Sequence, residues 1–188
     1  MSEPAKRRAT YKDLYGIPEN MTGQIIDGDL VVTPRPSTRH SYVASSLGAE
    51  IVPQYRFSRS GEGPGGWIIL FEHELMLGEH LLVPDFSGWR KERFPGVPNE
   101  NWISIPPDWV CVILSPSTAR LDRVRKSPIY AQHEIPYLWL IDPNEKTLEV
   151  FRLHAGKWLM LAAFAENDKV RAEPFQEVEI DLANLWLE

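Results

Sequence analysis

One uninterrupted apolar run constrains the fold of this chain more than any other feature. Residues Val110 to Leu114 carry no charged or strongly polar side chain, and the run is bounded by Pro107 on one side and by Ser115-Pro116 on the other. Such a run is typical of a strand buried on both faces in a parallel or mixed sheet. A basic segment follows, and open α/β sheets place their ligands beyond the carboxyl ends of their strands. We therefore expect a central strand with an anionic ligand at its carboxyl end.

The totals indicate an ordinary globular protein. The chain has 188 residues, of which 43% are apolar and 24% charged, and this favours a single domain with one core. No apolar run reaches membrane-spanning length, and residues 1–10 are too polar for a secretory signal, so we expect a cytoplasmic protein. The lone Cys111 excludes an internal disulfide and is most simply a buried hydrophobe. A net charge of −6 argues against strong nonspecific binding to nucleic acid, although a local basic cluster can still bind it.

Local patterns predict a β-rich α/β sheet with one long helix near the start and one short helix in the middle. Asp27-Gly28, between two apolar pairs, predicts a tight hairpin. Apolar residues at every fourth position over 40–57 predict an amphipathic helix with Pro53 near its end. Thr10 and Asp181 are expected to cap short helical turns. Further strands are predicted over residues 67–77, 81–89, 137–141, 147–153, 158–164 and 177–180.

Two neighbouring predicted strands carry acidic residues. Glu72 and Glu74 are two residues apart and should share one strand face, while Asp85 lies in the middle of the next strand. An Asp on one strand, an acid on the next and a Lys close by is the arrangement of many metal-dependent nucleases, in which carboxylates hold Mg²⁺. Spacing alone, however, favours the simpler interpretation that Asp85 faces water. The five histidines show no HxH or HExxH spacing, which argues against a zinc site.

Long motifs, in order along the chain, resemble a known family. They are Gly-Gly-Trp at 65–67, Glu72 and Glu74, Val-Pro-Asp-Phe-Ser-Gly-Trp-Arg at 83–90, Pro-Asp-Trp-Val-Cys at 107–111, Leu-Ser-Pro-Ser-Thr-Ala-Arg-Leu-Asp at 114–122, Lys126, Tyr130 and Leu-Trp-Leu-Ile-Asp-Pro at 138–143. From about residue 23 to residue 187 the chain resembles the bacterial family of putative restriction endonucleases within the PD-(D/E)XK nuclease superfamily.

The resemblance implies a restriction-endonuclease-like α/β (α+β) fold. Its mixed β-sheet core is flanked by helices and has an N-terminal hairpin and a C-terminal β-meander. Residues 1–22 would form an N-terminal arm and residues 23–188 the domain. The resemblance also implies Mg²⁺ chemistry on DNA phosphodiesters and, often, a homodimer.

Residue by residue, the resemblance assigns Asp85 to the metal and matches Lys126 to a catalytic lysine that has moved from the strand to the adjoining helix. The chain departs from the family at two acids, because Val112 and Gln24 stand where the family has carboxylates. Glu74 fits the family pattern and is our candidate to replace the missing acid as a catalytic and metal-binding residue. It is equally well interpreted as a polar neighbour of the cleft. A valine side chain supplies no oxygen ligand, so Mg²⁺ binding should be weak or absent.

Two functions follow from these residues. In the first, the chain is a Mg²⁺-dependent DNA endonuclease that uses Asp85, Glu74 and Lys126. Three arginines would then contact the DNA backbone, namely Arg120, Arg123 and Arg125. In the second, it is a degenerate member that keeps the fold as a DNA-binding or protein-interaction module. A sheet-edge dimer without a ligand is a weaker third alternative, since it leaves the basic segment unexplained.

Overall fold

The computed structural model describes residues 7–56 and 64–187, which form a mixed α/β structure with two main sheets. The strands are β1 (Met21–Ile26), β2 (Asp29–Pro34), β3 (Trp67–Phe71), β4 (Glu74–Leu77), β5 (His80–Leu82), β6 (Phe86–Arg90), β7 (Trp102–Ile103), β8 (Trp109–Ile113), β9 (Tyr137–Asp142), β10 (Thr147–His154), β11 (Lys157–Ala165), β12 (Lys169–Val170) and β13 (Ile180–Asp181). The large sheet has the order β11-β10-β9-β8-β6-β3, and the small sheet has the order β2-β1-β5-β4-β7.

The apolar run forms β8, an interior strand of the large sheet. It pairs in parallel with β9 and antiparallel with β6, so the sheet is mixed as expected. Alternate residues of β8 point to opposite faces. Trp109, Cys111 and Ile113 enter a core shared with the long helix, while Val110 and Val112 enter a second core shared with the small sheet. The prediction of a strand buried on both faces is therefore confirmed.

The long helix, α1 (Thr38–Tyr55), covers one face of the large sheet. Ser37 caps its start by accepting a hydrogen bond from the His40 amide at 3.3 Å. The predicted apolar stripe is buried, and Pro53 lies inside the last turn. The predicted end at residue 57 lies outside the described residues. The hairpin is also confirmed, since Asp27 and Gly28 have φ values of 54° and 80° between β1 and β2.

Three strand predictions were wrong in their extent. The predicted strand 67–77 divides into β3 and β4, which lie in different sheets, because Glu72 takes a left-handed backbone with φ 42°. Glu72 and Glu74 therefore do not share one strand. The predicted strand 81–89 likewise divides into β5 and β6, and Asp85 lies in the bend between them, directly after Pro84. The last predicted strand, 177–180, is reduced to β13.

The short helix follows β8 and has three parts. It consists of α2 (Ala119–Leu121), a π turn over Asp122–Lys126 and α3 (Ser127–Gln132). A single π turn within an α-helix is often found at a functional site. The C-terminal meander β9-β10-β11 completes the large sheet.

No helix in the described part of the chain is long and apolar enough to cross a membrane.

Candidate active site

A cavity of about 570 Å³ opens between the β1–β2 hairpin, the start of α1 and the carboxyl end of β8. Its lining includes five residues that the sequence singled out, although 102 positions separate the first from the last: Gln24, Glu74, Asp85, Val112 and Lys126. The three predicted DNA-contacting arginines are not part of this lining. The cavity lies where the sequence predicts a ligand, at the carboxyl end of the central strand.

Asp85 is fixed at the inner wall of this cavity. Its Oδ2 accepts a hydrogen bond from the Ile113 amide at 2.6 Å, and its Oδ1 lies 2.9 Å from His40 Nε2. The Asp85 side chain is 15% exposed. The simpler interpretation, in which Asp85 faces water, was therefore wrong, because its bend turns the carboxylate toward the end of β8.

His40 is a site residue that the sequence reasoning missed. Burial disfavours the charged imidazole, but the hydrogen bond and charge of Asp85, with the charge of Glu72, outweigh it and raise the pKa of His40. The ring Nδ1 is buried and has no hydrogen-bond partner among the described residues. A signal was available, since His40 precedes Val43 and Leu47 on the stripe that α1 buries.

Lys126 lies at the cavity in an ion pair with Asp122. Lys126 Nζ is 2.7 Å from Asp122 Oδ1, and the two side chains are only 7% and 2% exposed. Both belong to the π turn. Tyr130 packs nearby with a buried hydroxyl that has no partner among the described residues. Burial, with the charges of Asp122 and Asp85, raises the pKa of Tyr130. Lys126 is therefore paired with an acidic side chain at the cavity.

The two glutamates occupy separate positions at the cavity. Glu74 Oε2 accepts a hydrogen bond from the Tyr11 hydroxyl at 2.6 Å, so the N-terminal segment contacts this side chain. Burial and this bond raise the pKa of Tyr11. The Glu72 amide donates to the Asp85 carbonyl at 3.2 Å. Across residues 7–56 and 64–187, no three His, Cys, Asp or Glu side chains are grouped closely enough to hold a metal ion.

The two positions at which the resemblance leads us to expect acids have structural roles. Val112 is 3% exposed and packs in the core between the two sheets. Gln24 is also 3% exposed, and its Oε1 accepts a hydrogen bond from the Val83 amide at 3.0 Å. The Gln24 amide thus joins β1 to the segment that carries Asp85. Neither side chain brings a negative charge to the cavity.

The three arginines lie on the surface of the short helix and differ in their partners. Arg123 pairs with Glu149 at 2.7 Å, and Arg125 pairs with Asp27 at 2.9 Å. Arg120 is exposed and forms no ion pair with an acid in the described ranges. Of these three arginines, only Arg120 therefore has no acidic partner within the described ranges.

The mixed sheet, the flanking helices and the cavity with Asp85 and Lys126 define a protein with the nuclease fold. A putative nuclease of the DUF820 family from Anabaena variabilis ATCC 29413 has a similar crystal structure, with a TM-score of 0.73 and 25% sequence identity over 95% of this chain and 97% of that one. The chain belongs to the Uma2 family of putative restriction endonucleases, whose model matches residues 8–183. No curated protein sequence matches it. The predicted fold and family are thus confirmed.

Proposed function

We propose that this chain is an impaired DNA endonuclease of the PD-(D/E)XK type, and that its cavity takes a phosphodiester of the DNA backbone. The observation that carries the proposal is the convergence of Asp85, Lys126 and Glu74 on one cavity at the end of β8. Membership of a family of putative restriction endonucleases and the similarity to a putative nuclease support a nuclease.

The residues at the cavity do not fit Mg²⁺ as they are arranged. Mg²⁺ requires several oxygen ligands in near-octahedral geometry. Asp85 already accepts bonds from Ile113 and His40, and Val112 offers no oxygen in its side chain. The described part of the chain groups no three donors for a metal. Weak or absent binding of Mg²⁺ is therefore part of the proposal.

The side chains of the cavity are placed to bind and orient a phosphodiester. Lys126 and Arg35 are the cations in the cavity lining, and Asp122 holds the ammonium of Lys126 in one position. An entering phosphate oxygen would become a second anionic partner of this ammonium. Asp85, held by His40 and β8, is the fixed carboxylate toward which an attacking water would be oriented. Exposed Arg120 would contact the neighbouring backbone, while Arg123 and Arg125 would have to exchange their acidic partners for phosphates.

A plasmid-nicking assay with Mg²⁺ or Mn²⁺ tests this proposal. We expect slow nicking by the wild type, loss of nicking in Asp85→Ala and faster nicking in Val112→Glu, which restores the missing acid. Glu92→Ala is the matched control, since it removes an exposed carboxylate that follows β6 at the opposite end of β8 from the cavity. Nicking that persists unchanged in Asp85→Ala would contradict the assignment of the site.

A second candidate function is a degenerate DNA-binding or protein-interaction module. The absence of a three-donor metal group from the described residues favours it. A gel-shift titration separates the two functions when it is run beside the nicking assay. Binding that weakens in Lys126→Met, together with no nicking by the wild type or Val112→Glu, would identify a DNA-binding module. No DNA binding by any variant would leave protein interaction as the role.

We also propose a cytoplasmic homodimer. The edge strand β11 supports the dimer, because the nine residues of this strand include a single charged side chain, Lys157. Two of its apolar side chains, Leu159 and Met160, are 46% and 49% exposed. Unprotected edge strands readily pair with another chain. Antiparallel pairing of two copies would bring Lys157 of one copy near exposed Glu166 of the other. Light scattering after size exclusion should show a dimer that Met160→Lys dissociates and Val32→Lys, on the edge strand β2 of the small sheet, does not.

A further inference from the structure

The His40 side chain contacts Asp85, the carboxylate that the family resemblance assigns to a divalent cation. His40 Nε2 lies 2.9 Å from Asp85 Oδ1. The other carboxylates that line the cavity belong to Glu72, Glu74 and Asp122, and Val112 adds no acid. A cation that bound Asp85 Oδ1 would have to displace the imidazole.

Three features hold the ring at this position. Ser37 fixes the first turn of α1 through the His40 amide. Val43 and Leu47, the next members of the same stripe, are completely buried against the large sheet. The His40 side chain itself is only 9% exposed. These contacts hold the ring beside Asp85, while the cavity that His40 lines leaves space for the imidazole to turn away when a cation enters.

The other carboxylate oxygen of Asp85 also accepts a hydrogen bond. Asp85 Oδ2 accepts a short hydrogen bond from the Ile113 amide at 2.6 Å, which ties the carboxylate to β8. The carboxylate therefore has one donor on each oxygen before any ligand enters. A carboxylate in this state has fewer lone pairs to offer, and a cation gains less by approaching it.

We propose that His40 substitutes for a divalent cation in this chain, so that the imidazole and a metal ion compete for Asp85. The inference rests on the proposed function only in that both concern the same cavity. It assigns His40 as a positioning residue that holds Asp85 in place, a role that a metal would otherwise fill. It also explains how Asp85 stays oriented although Val112 and Gln24 bring no acid to the cavity.

Calorimetric titration with Mn²⁺ alone, without DNA, tests the competition. We expect His40→Ala to bind Mn²⁺ on the order of tenfold more tightly than the wild type, similar to the effect of other changes around metal ligands. At the same concentration, Mn²⁺ should also raise the Tm of His40→Ala more than that of the wild type, because ligand binding to the folded state stabilises it. Adding Asp85→Asn to His40→Ala should abolish both effects.

His154→Ala is the matched control, because it removes an exposed imidazole at the end of β10. It should bind Mn²⁺ as the wild type does. Wild-type binding as tight as that of His40→Ala, or binding that survives Asp85→Asn, would overturn the proposal. Failure of DNA binding or nicking would instead contradict the proposed function, since the titration contains no DNA.

A measurement on the wild type covers the case in which His40→Ala does not fold. The Ile113 amide donates to Asp85, so its NMR resonance reports on that carboxylate. A cation that binds Asp85 by displacing the imidazole should shift this resonance and the His40 ring resonances together, with the same Mg²⁺ midpoint. A saturable shift of the Ile113 amide that leaves the His40 ring resonances unchanged would show that the cation and the imidazole do not compete for Asp85, and the proposal would be wrong.

Discussion

The buried ion pair in the π turn allows a quantitative test of how the cavity is built. Replacing Lys126 with Met removes the cation and leaves Asp122 with a side chain that is 2% exposed and has lost its ion-pair partner. Removing one member of a buried pair typically costs about 3–5 kcal/mol, because the remaining charge is neither solvated nor paired. Total stability is only about 5–15 kcal/mol for a domain, so this loss is large.

Urea unfolding followed by far-ultraviolet circular dichroism measures this change. The double variant Asp122→Asn with Lys126→Met should recover most of the loss, because no buried charge remains. Arg123→Met is the matched control, since its pair with Glu149 has side chains that are 41% and 23% exposed. Exposed pairs contribute about 0–1 kcal/mol, and the control should lose no more than that. Equal losses in Lys126→Met and Arg123→Met would refute the reasoning.

Three further changes test other contacts. Burial lowers the pKa of His73 to about 4, so on acidification this imidazole is protonated in the unfolded chain before it is protonated in the folded one. The free energy of unfolding should therefore fall by up to about 3 kcal/mol as the pH drops from 6.5 to 4. Urea titrations of His73→Leu should lack this part of the pH dependence. Gly48→Ala would place a Cβ 2.9 Å from Phe71 Cε1, and calorimetric unfolding should show a loss of about 1–3 kcal/mol. Tyr11→Phe removes the hydrogen bond to Glu74 and should cost about 1 kcal/mol by the same measurement, whereas an unchanged Tm would show that the bond does not stabilise the fold.

The elements that the sequence predicted correctly depend on local signals. The hairpin follows from Asp27-Gly28, which adopts the two left-handed backbone conformations that its turn requires. Helix α1 follows from a four-residue repeat, and β8 from an apolar run between turn residues. Each signal lies within the element that it predicts, so no knowledge of distant contacts is needed.

The errors concern partners that are distant in sequence. Residues 67–77 have a strand-like pattern throughout, and nothing local shows that the chain changes sheets at Glu72. Arg125 lies 98 positions after Asp27, so their ion pair could not be read from spacing. From the sequence, Asp122 looks like one more exposed charged residue in the basic segment after β8. Its burial depends on the wider π turn, whose hydrogen-bonding pattern has no reliable sequence signature.

The π turn also shows how the cavity depends on the length of the chain. A π turn contains one residue more than the α-helical turn that it replaces, and one residue corresponds to a rotation of about 100° around a helix axis. The wider π turn absorbs this extra residue, so removing Val124, which is 63% exposed, would restore an α-helical turn and bring the paired Asp and Lys from four positions apart to three. The spacing of the buried pair at the cavity can therefore change in a single insertion or deletion, while every side chain that forms it keeps its identity.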